Sequence, residues 1–346
     1  MLTPRGLPFA RRSRLVRGMT LVELLVAMIV GMLVVLATVA ALTVTRRGFT
    51  AVDAASQLRD NGRFAAELIQ RVSIQAGYRD VSFASGTRKT PPSTDPPPDV
   101  SGFNNAALDA SNPLTAWSSR NSSVAGYGSD VLILRYQASQ LRSQSADLTS
   151  DKSMIDCAGN PVLSVPDPAS PDARDTRMVS IFHVDVRQDE PTLMCTYQNV
   201  SGGFTTVPLI QGVEQFQLLY GVDGVTPGTA PASGASAPDV AKAYLRADEL
   251  VVAGDAAGTN ANWRRVRSIR VGLVLRGAAG SSQTVETQTF YPFGASQSSA
   301  TAAKGSAFAS AADTNSTFSA PADGRLRQSL TFTIHLRNDQ GLGYAP

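Results

Sequence analysis

An acid at the head of an apolar run is the residue with the clearest chemical consequence in this sequence. Glu23 precedes Leu24–Val44, 21 residues without a charge, and a carboxylate beside such a run asks for a counter-charge or a donor. Other reactive side chains are few. The two histidines, His183 and His335, fall in alternating segments where a structural role is expected. No Cys/His/carboxylate spacing suggests zinc, and neither a nucleophile elbow nor a phosphate-binding glycine loop occurs. Hence no catalytic residue, no metal and no cofactor are expected, and the chain reads as a non-enzyme. Arg264, Arg265, Arg267 and Arg270 could touch DNA phosphates, but a solvated strand face accounts for them as well and is favoured. Asp223-Gly224 fits a calcium loop or, more commonly, a hairpin turn. Cys157 and Cys195 lie 38 residues apart, downstream of the apolar run. An even cysteine count in an exported domain suggests one disulfide, which would restrict the unfolded chain by about 4 kcal/mol in the entropy view. Two buried free thiols are the alternative.

The elements that must position these residues begin with the apolar run itself, which as a helix spans about 31 Å, enough for a bilayer core. Five arginines (Arg5, Arg11, Arg12, Arg14, Arg17) and no acid precede it, while Arg46 and Arg47 follow. The heavier upstream cluster predicts a cytoplasmic N-terminus with the remainder translocated. An uncleaved anchor, or an ordinary signal peptide cut near Ala37–Ala41, would also carry such a run, although it is longer than the usual signal core and has an acid at its start. The leader also accounts for the basic balance: residues 19–346 hold 26 basic residues against 28 acids, so the body gives no charge argument for nucleic acid.

Helical periodicity continues beyond the run. Ala65, Leu68, Ile69, Val72 and Ala76 share one face, and Gly77 supplies a stop. Asp60-Asn61-Gly62 is a place where a bend would cost little. If continuous, a helix from Leu24 to Ala76 has 53 residues and a length of roughly 80 Å. Residues 82–128, rich in Pro, Ser, Gly, Asn and Asp and including Pro91-Pro92 and Pro96-Pro97-Pro98, read as a long irregular surface segment. Strands are expected at Val131–Tyr136, Val179–Val186, Thr192–Tyr197, Val213–Tyr220 and Ile269–Leu275, with a last one alternating Leu330, Phe332, Ile334 and Leu336 against Thr331, Thr333, His335 and Arg337. The second and third would pair as a hairpin across Gln188-Asp189-Glu190-Pro191. Gly224–Pro238, Gly254–Asn262 and Ala295–Gly324 read as surface loops. With 43% apolar residues the chain can bury a full core. The fold class is therefore α+β: a long N-terminal helix, half membrane-directed and half amphipathic, packed on an antiparallel β-sheet domain with long irregular loops. The expected divisions are residues 1–18, 19–45, 46–78 and 79–346.

Arg17-Gly18-Met19-Thr20-Leu21-Val22-Glu23-Leu24-Leu25-Val26-Ala27-Met28 strongly resembles the class III signal of type IV prepilins and pseudopilins. A basic leader, a glycine, an acid at the fifth following position and an apolar helix stand in one register. The resemblance implies cleavage after Gly18 by a prepilin peptidase, methylation of the new amino terminus at Met19, and assembly roles for Thr20 and Glu23, with a neighbouring subunit's Met19 amine neutralising Glu23 in a fibre. Gln57 to Leu68, ending in Ala76-Gly77-Tyr78, resembles the helix of PilW-family minor pilins. Gly212 to Asp223, Trp263 to Val271 and Leu336-Arg337-Asn338 are similar to later parts of that family. One departure from many major pilins is Ala40, which stands where they often have proline. What the resemblance implies is a minor pilin of a type IV pilus, a structural or initiation subunit serving pilus biogenesis, twitching motility and adhesion. It would sit in the inner membrane of a Gram-negative envelope with a periplasmic C-terminal domain, then in the pilus fibre. Its partners would be other minor pilins, the major pilin, the prepilin peptidase, and the inner membrane with its pilus assembly platform. A minor pseudopilin of type II secretion, which shares leader, helix and sheet, is one alternative; a bitopic envelope-binding protein is another, and an exported hydrolase a third.

Overall fold

The computed structural model describes residues 18–80, 95–109, 111–115, 117–119, 126, 128–141, 149–167, 169–170, 172–232, 240–293 and 317–338. The leader arginines, Pro91-Pro92 and most of the 295–324 stretch fall outside them. The chain forms two compact units, one ending at Val52 and the other beginning at Asp53.

Helix α1 runs unbroken over Leu21–Ser73, 53 residues. In the first unit its apolar side chains are exposed, with 18 residues at a mean hydropathy of 2.8. Thr38, Thr43 and Thr45 bond their hydroxyls to the carbonyls of Val34, Val39 and Ala41, four residues back, at 2.7–2.8 Å. Their polar atoms are thereby satisfied without water.

In the second unit α1 buries Ala54, Leu58, Gly62, Ala65, Ile69 and Val72, steps of three and four residues that keep one face inward. The helix continues through Asp60-Asn61-Gly62, where a bend would have cost little. Gly62 sits where a Cβ would lie 3.4 Å from Leu330 Cδ2 and 3.8 Å from Leu275 Cδ1, so its small size lets the helix lie close on the sheet. Those distances admit a methyl group and nothing larger. Gly62→Ala should raise stability by about 0.5–1 kcal/mol through helix propensity, and Gly62→Leu should lower it, as read from urea unfolding midpoints.

Two antiparallel sheets receive this face. The first has the order β1-β4-β5-β6-β7, from Val100–Phe103, Val131–Tyr136, Met178–Arg187, Glu190–Gln198 and Phe204–Gln211. The second has the order β13-β10-β8-β9, from Arg327–His335, Val266–Arg276, Val213–Val222 and Ala243–Leu245. Two short ribbons, β2 with β3 (Ala106–Leu108, Trp117–Ser119) and β11 with β12 (Gln288–Phe290, Phe318–Ala320), complete the strands among the described residues. One apolar core joins Leu58, Ile69 and Val72 of the helix to Phe182 and Leu193 of the first sheet and to Phe216, Ile269 and Leu273 of the second.

The β5–β6 hairpin turns on Gln188 and Asp189, both at positive φ (51° and 61°), the two-residue turn whose twist suits paired strands. Between the sheets the chain passes from β7 to β8 through Gly212. Its φ is +83°, and a Cβ there would stand 2.4 Å from the Arg276 carbonyl oxygen, so only glycine fits.

Four expectations are corrected. The Ala295–Gly324 stretch, expected as a surface loop, contains strand β12 (Phe318–Ala320). The 82–128 segment contains strands β1 to β3. Gly254–Asn262 is largely a helix, α2 (Ala256–Trp263), because the Asp255 side chain caps it by accepting from the Gly258 N–H at 2.8 Å. Asp223-Gly224 makes no tight hairpin: β8 pairs with β9 only from Ala243 onward, and Asp223 is held by Lys242 Nζ at 2.7 Å. Strand β7 was not anticipated; its Pro208 is tolerated because β7 is the sheet's edge, where proline need not donate to a second neighbour.

Candidate functional site

The candidate site lies at the start of α1. Gly18, Met19 and Thr20 precede the helix and are exposed, so the Gly18–Met19 peptide bond stands outside the hydrogen-bonded turns. Thr20 is the cap. Its hydroxyl oxygen accepts from the Glu23 N–H at 3.3 Å, and Glu23 Oε2 accepts from the Thr20 N–H at 2.9 Å and the Thr20 hydroxyl at 3.1 Å. This is a reciprocal capping box, which satisfies two donors that a helix start otherwise leaves open. The Thr-x-x-Glu spacing is the signal that sequence reading could have used and did not. Glu23 thus has an intramolecular role as well as a negative charge at the positive end of the helix dipole. Oε1 accepts no hydrogen bond from any described residue, so one side of the carboxylate remains open to a further donor.

The far end of α1 is fixed just as specifically. Gly77, at φ +77°, ends the helical turns and donates its N–H to the Arg135 carbonyl at 2.9 Å. The Asn338 side-chain amide donates to the carbonyls of Ile74 and Ala76, both at 3.1 Å. That gives Asn338 of the Leu336-Arg337-Asn338 tract a physical reason: it ties down carbonyls of the turns that follow α1.

Cys157 and Cys195 form a disulfide with Cα atoms 5.6 Å apart, inside the core. It staples the segment before β5 to strand β6. His183 is buried with Nε2 3.0 Å from the Thr196 hydroxyl, and His335 is exposed on β13; the structure does not bring the two histidines together with the cysteines. Among the described residues no group of three or more His, Cys, Asp and Glu could hold a metal ion.

The basic cluster is not a solvated strand face. Arg264 and Arg265 are buried. Arg264 Nη2 lies 2.6 Å from Asp95 Oδ1 and donates to the Pro96 carbonyl at 2.7 Å. Arg265 donates to the Asp223 carbonyl, and Arg267 to the carbonyls of Arg264 and Val266. Arg270 lies over the Tyr244 ring, 4.4 Å from its centroid. These guanidiniums are internal fasteners, and they leave little for phosphates. The same use recurs along Asp95–Asp99. Arg177 and Arg135 donate to the carbonyls of Pro97 and Pro98 at 2.8 and 2.9 Å, and Asp99 is paired with Arg79 and Arg177.

An alternating ring of charges joins the two sheets at the Gly212 passage. Arg276 reaches Glu190 Oε2 at 2.9 Å and Glu214 Oε1 at 3.1 Å. Arg327 reaches Glu214 Oε1 at 3.0 Å and Asp323 Oδ2 at 2.6 Å. Arg325 closes the circle onto Glu190 Oε1 at 2.9 Å and Asp323 Oδ2 at 3.9 Å. Burial pushes the Glu190 carboxyl up, but hydrogen bonds and charge from Arg276 and Arg325 outweigh it and hold it below its usual range. Hydrogen bonds from Arg327 hold Asp323 low in the same way.

Known proteins can now be set beside this geometry. The type IV-like pilin TTHA1219 from Thermus thermophilus aligns over 81% of this chain and 97% of its own at 12% identity, with a TM-score of 0.35, too low to establish a shared fold. No curated protein sequence matches. Residues 181–338 match the family model of the type IV pilus-assembly protein W. That span, somewhat less than half of the chain, contains the Gly212 passage, the charge ring and the Asn338 contact, and over it the chain is similar to the PilW family.

Proposed function

We propose that this chain is a minor pilin of a type IV pilus, acting as a structural or initiation subunit and not as a catalyst. In this reading it is stored in the inner membrane with the unit after Asp53 in the periplasm, and enters the fibre near its tip. A prepilin peptidase removes residues 1–18 and the new Met19 amine is methylated. The observation that carries the reading is the arrangement at residues 18–23. An exposed Gly18–Met19 bond stands directly before a capped helix, and the capping carboxylate keeps one oxygen free. Removing the leader places a cationic amine next to Thr20, and in a stacked fibre that amine from one subunit can meet the free side of Glu23 in the next. Burial of both charges among apolar helices strengthens their attraction, so correct axial register is rewarded. The match of residues 181–338 to the PilW family and the exposed apolar half of α1 support the same assignment.

N-terminal mass spectrometry of the membrane-extracted protein tests it. A chain beginning at methylated Met19 is the expected result. One beginning at Met1, as for a bitopic anchor, or near residue 42, as for an ordinary secreted protein, would remove the pilin reading.

A further inference from the structure

The turn that follows α1 is tied to a small hairpin, residues 154–162, that carries one half of the disulfide. Within the hairpin, Val162 N–H donates to the Met154 carbonyl at 2.8 Å and Asp156 N–H to the Asn160 carbonyl at 2.9 Å. Ile155 lies between these bonds, opposite Pro161, in a pair whose backbone groups point away from the hairpin. Both of its groups go to one side chain. Ile155 N–H donates to Gln75 Oε1 at 2.9 Å, and the Ile155 carbonyl accepts from Gln75 Nε2 at 3.0 Å. The Gln75 amide thus stands in for one residue of an added strand. Gln75 is two residues past the end of α1, between Ile74 and Ala76, whose carbonyls Asn338 holds.

Two residues beyond Ile155, Cys157 is bonded to Cys195 of β6. Cys157 N–H donates to the Ser180 hydroxyl of β5 at 3.1 Å, and that hydroxyl lies 2.6 Å from the Tyr136 hydroxyl of β4. Met154, Cys157 and Val162 share the core with Val72 and Ala76 at the end of the helix and with Leu193 and Cys195 of β6. The hairpin is held to its surroundings by this packing, by the disulfide, by the Ser180 bond, by the Ser150 hydroxyl donating to the Val162 carbonyl at 2.6 Å, and by the Gln75 pair. The disulfide and Gln75 therefore grip the same short segment from opposite directions, one from the centre of the first sheet and one from the end of α1.

We propose that the Cys157–Cys195 bond is a redox-operated brace on the end of α1, with Gln75 as the positioning residue that couples the two. While the bond is closed, Ile155 is held in place and in turn fixes the turn after the helix. Opening is thiol–disulfide exchange with an external dithiol. One thiolate of the dithiol attacks a cysteine sulfur, the other cysteine leaves as a thiolate, and the second thiol of the dithiol then displaces the mixed disulfide. The protein gains two electrons and two protons, and the dithiol loses both and becomes a disulfide. Closing is the reverse, with an oxidised dithiol as acceptor. Both cysteines are buried, so exchange requires the hairpin to lift from the core, and that motion draws Ile155 away from Gln75. The coupling is reciprocal: the disulfide protects the helix end, and the Gln75 pair protects the disulfide. None of this rests on the pilin reading.

Hydrogen exchange by mass spectrometry on the full chain in detergent tests this, with the wild type oxidised, opened by dithiothreitol and closed again by its oxidised form. A mass gain of two hydrogens marks the opened protein. Opening should speed exchange about tenfold or more in peptides covering residues 72–78 as well as 153–162, leave β7 peptides at 204–211 unchanged, and be reversed on closing. Cys157→Ala with Cys195→Ala should reproduce the opened state. Gln75→Met keeps the length of the side chain and removes both hydrogen bonds. In that background, opening the disulfide should still loosen 153–162 but add nothing at 72–78, and the disulfide itself should be reduced about tenfold faster than in the parent. Exchange at 72–78 that ignores the state of the disulfide, a Gln75→Met protein in which opening acts on 72–78 in full, or β7 peptides that loosen as much as the hairpin would each overturn the proposal.

Discussion

Glu23→Ala should leave the leader removable and yet lower the recovery of this subunit in sheared fibres by about tenfold or more. In the proposed reading, cleavage depends on the exposed Gly18–Met19 bond, which the substitution does not touch, and incorporation would depend on what meets the Met19 amine once that amine enters an apolar helix bundle. Without a carboxylate the amine arrives uncompensated, and the cost recurs at each attempt to dock. Thr20 separates the two roles of Glu23. Thr20→Val removes the hydroxyl that accepts from the Glu23 N–H and donates to Glu23 Oε2, but keeps the charge, so it should fray the first turn and reduce incorporation less. Thr20→Ser, which restores the cap, should behave as the parent. Quantifying processed and fibre-associated protein by immunoblot distinguishes these cases. If Glu23→Ala subunits entered fibres as efficiently as the parent, the charge pairing would not be what positions this helix.

How far the chain was legible follows from the range of the forces involved. Periodicity is local, so the one-sided helix and the strands read at Val131–Tyr136, Val213–Tyr220 and Ile269–Leu275 were visible in the order of apolar residues, the last two short of their observed ends at Val222 and at Val266 and Arg276. The Gln188-Asp189 turn was legible within a few residues for the same reason. What failed was composition used as a proxy for structure. Gly254–Asn262 looks like a loop because alanine, glycine and threonine are small, yet a single capping aspartate is enough to start a helix there. Asp60-Asn61-Gly62 looks weak until Leu275 and Leu330, distant in sequence, are seen to pack over a position that only a small residue fits. The arginines misled in the opposite direction. Their spacing suggests an outward face, but Asp95, Tyr244 and the proline carbonyls that engage them lie elsewhere in the chain. At the candidate site itself the motif was legible because it is contiguous. Its capping geometry was equally local and was hidden by reading Thr20 and Glu23 only as groups for an external partner.

The charge ring at the Gly212 passage leads to the largest expected loss of stability. Glu214 is almost fully buried between Arg276 and Arg327, and the Arg327 side chain is only 2% exposed. Glu214→Ala leaves two guanidiniums facing each other across a site that water reaches poorly. Truncating one partner of such a group costs about 3–5 kcal/mol, because the remaining charge keeps its desolvation penalty and loses its compensation. Glu214→Gln, which retains a carbonyl acceptor, should lose less. The pairs toward the rim, Arg325 with Glu190 and Asp323, should matter little, since exposed pairs contribute about 0–1 kcal/mol. A Glu214→Leu, Arg327→Met double variant should recover much of the loss, since an apolar pair removes both burial penalties together. Acid should act on the same ring. Glu190 and Asp323 titrate lower in the folded protein than in the unfolded chain, so their contribution is complete above the ordinary carboxylate range and is lost as pH falls through their depressed values. Urea unfolding of the full chain in detergent at pH 7 and pH 3 reads both effects. The wild type should weaken at pH 3 and Glu214→Ala should be weak already at pH 7. A Glu214→Ala midpoint equal to that of the wild type at pH 7 would mean that the sheets are held at this corner by Gly212 and apolar packing alone.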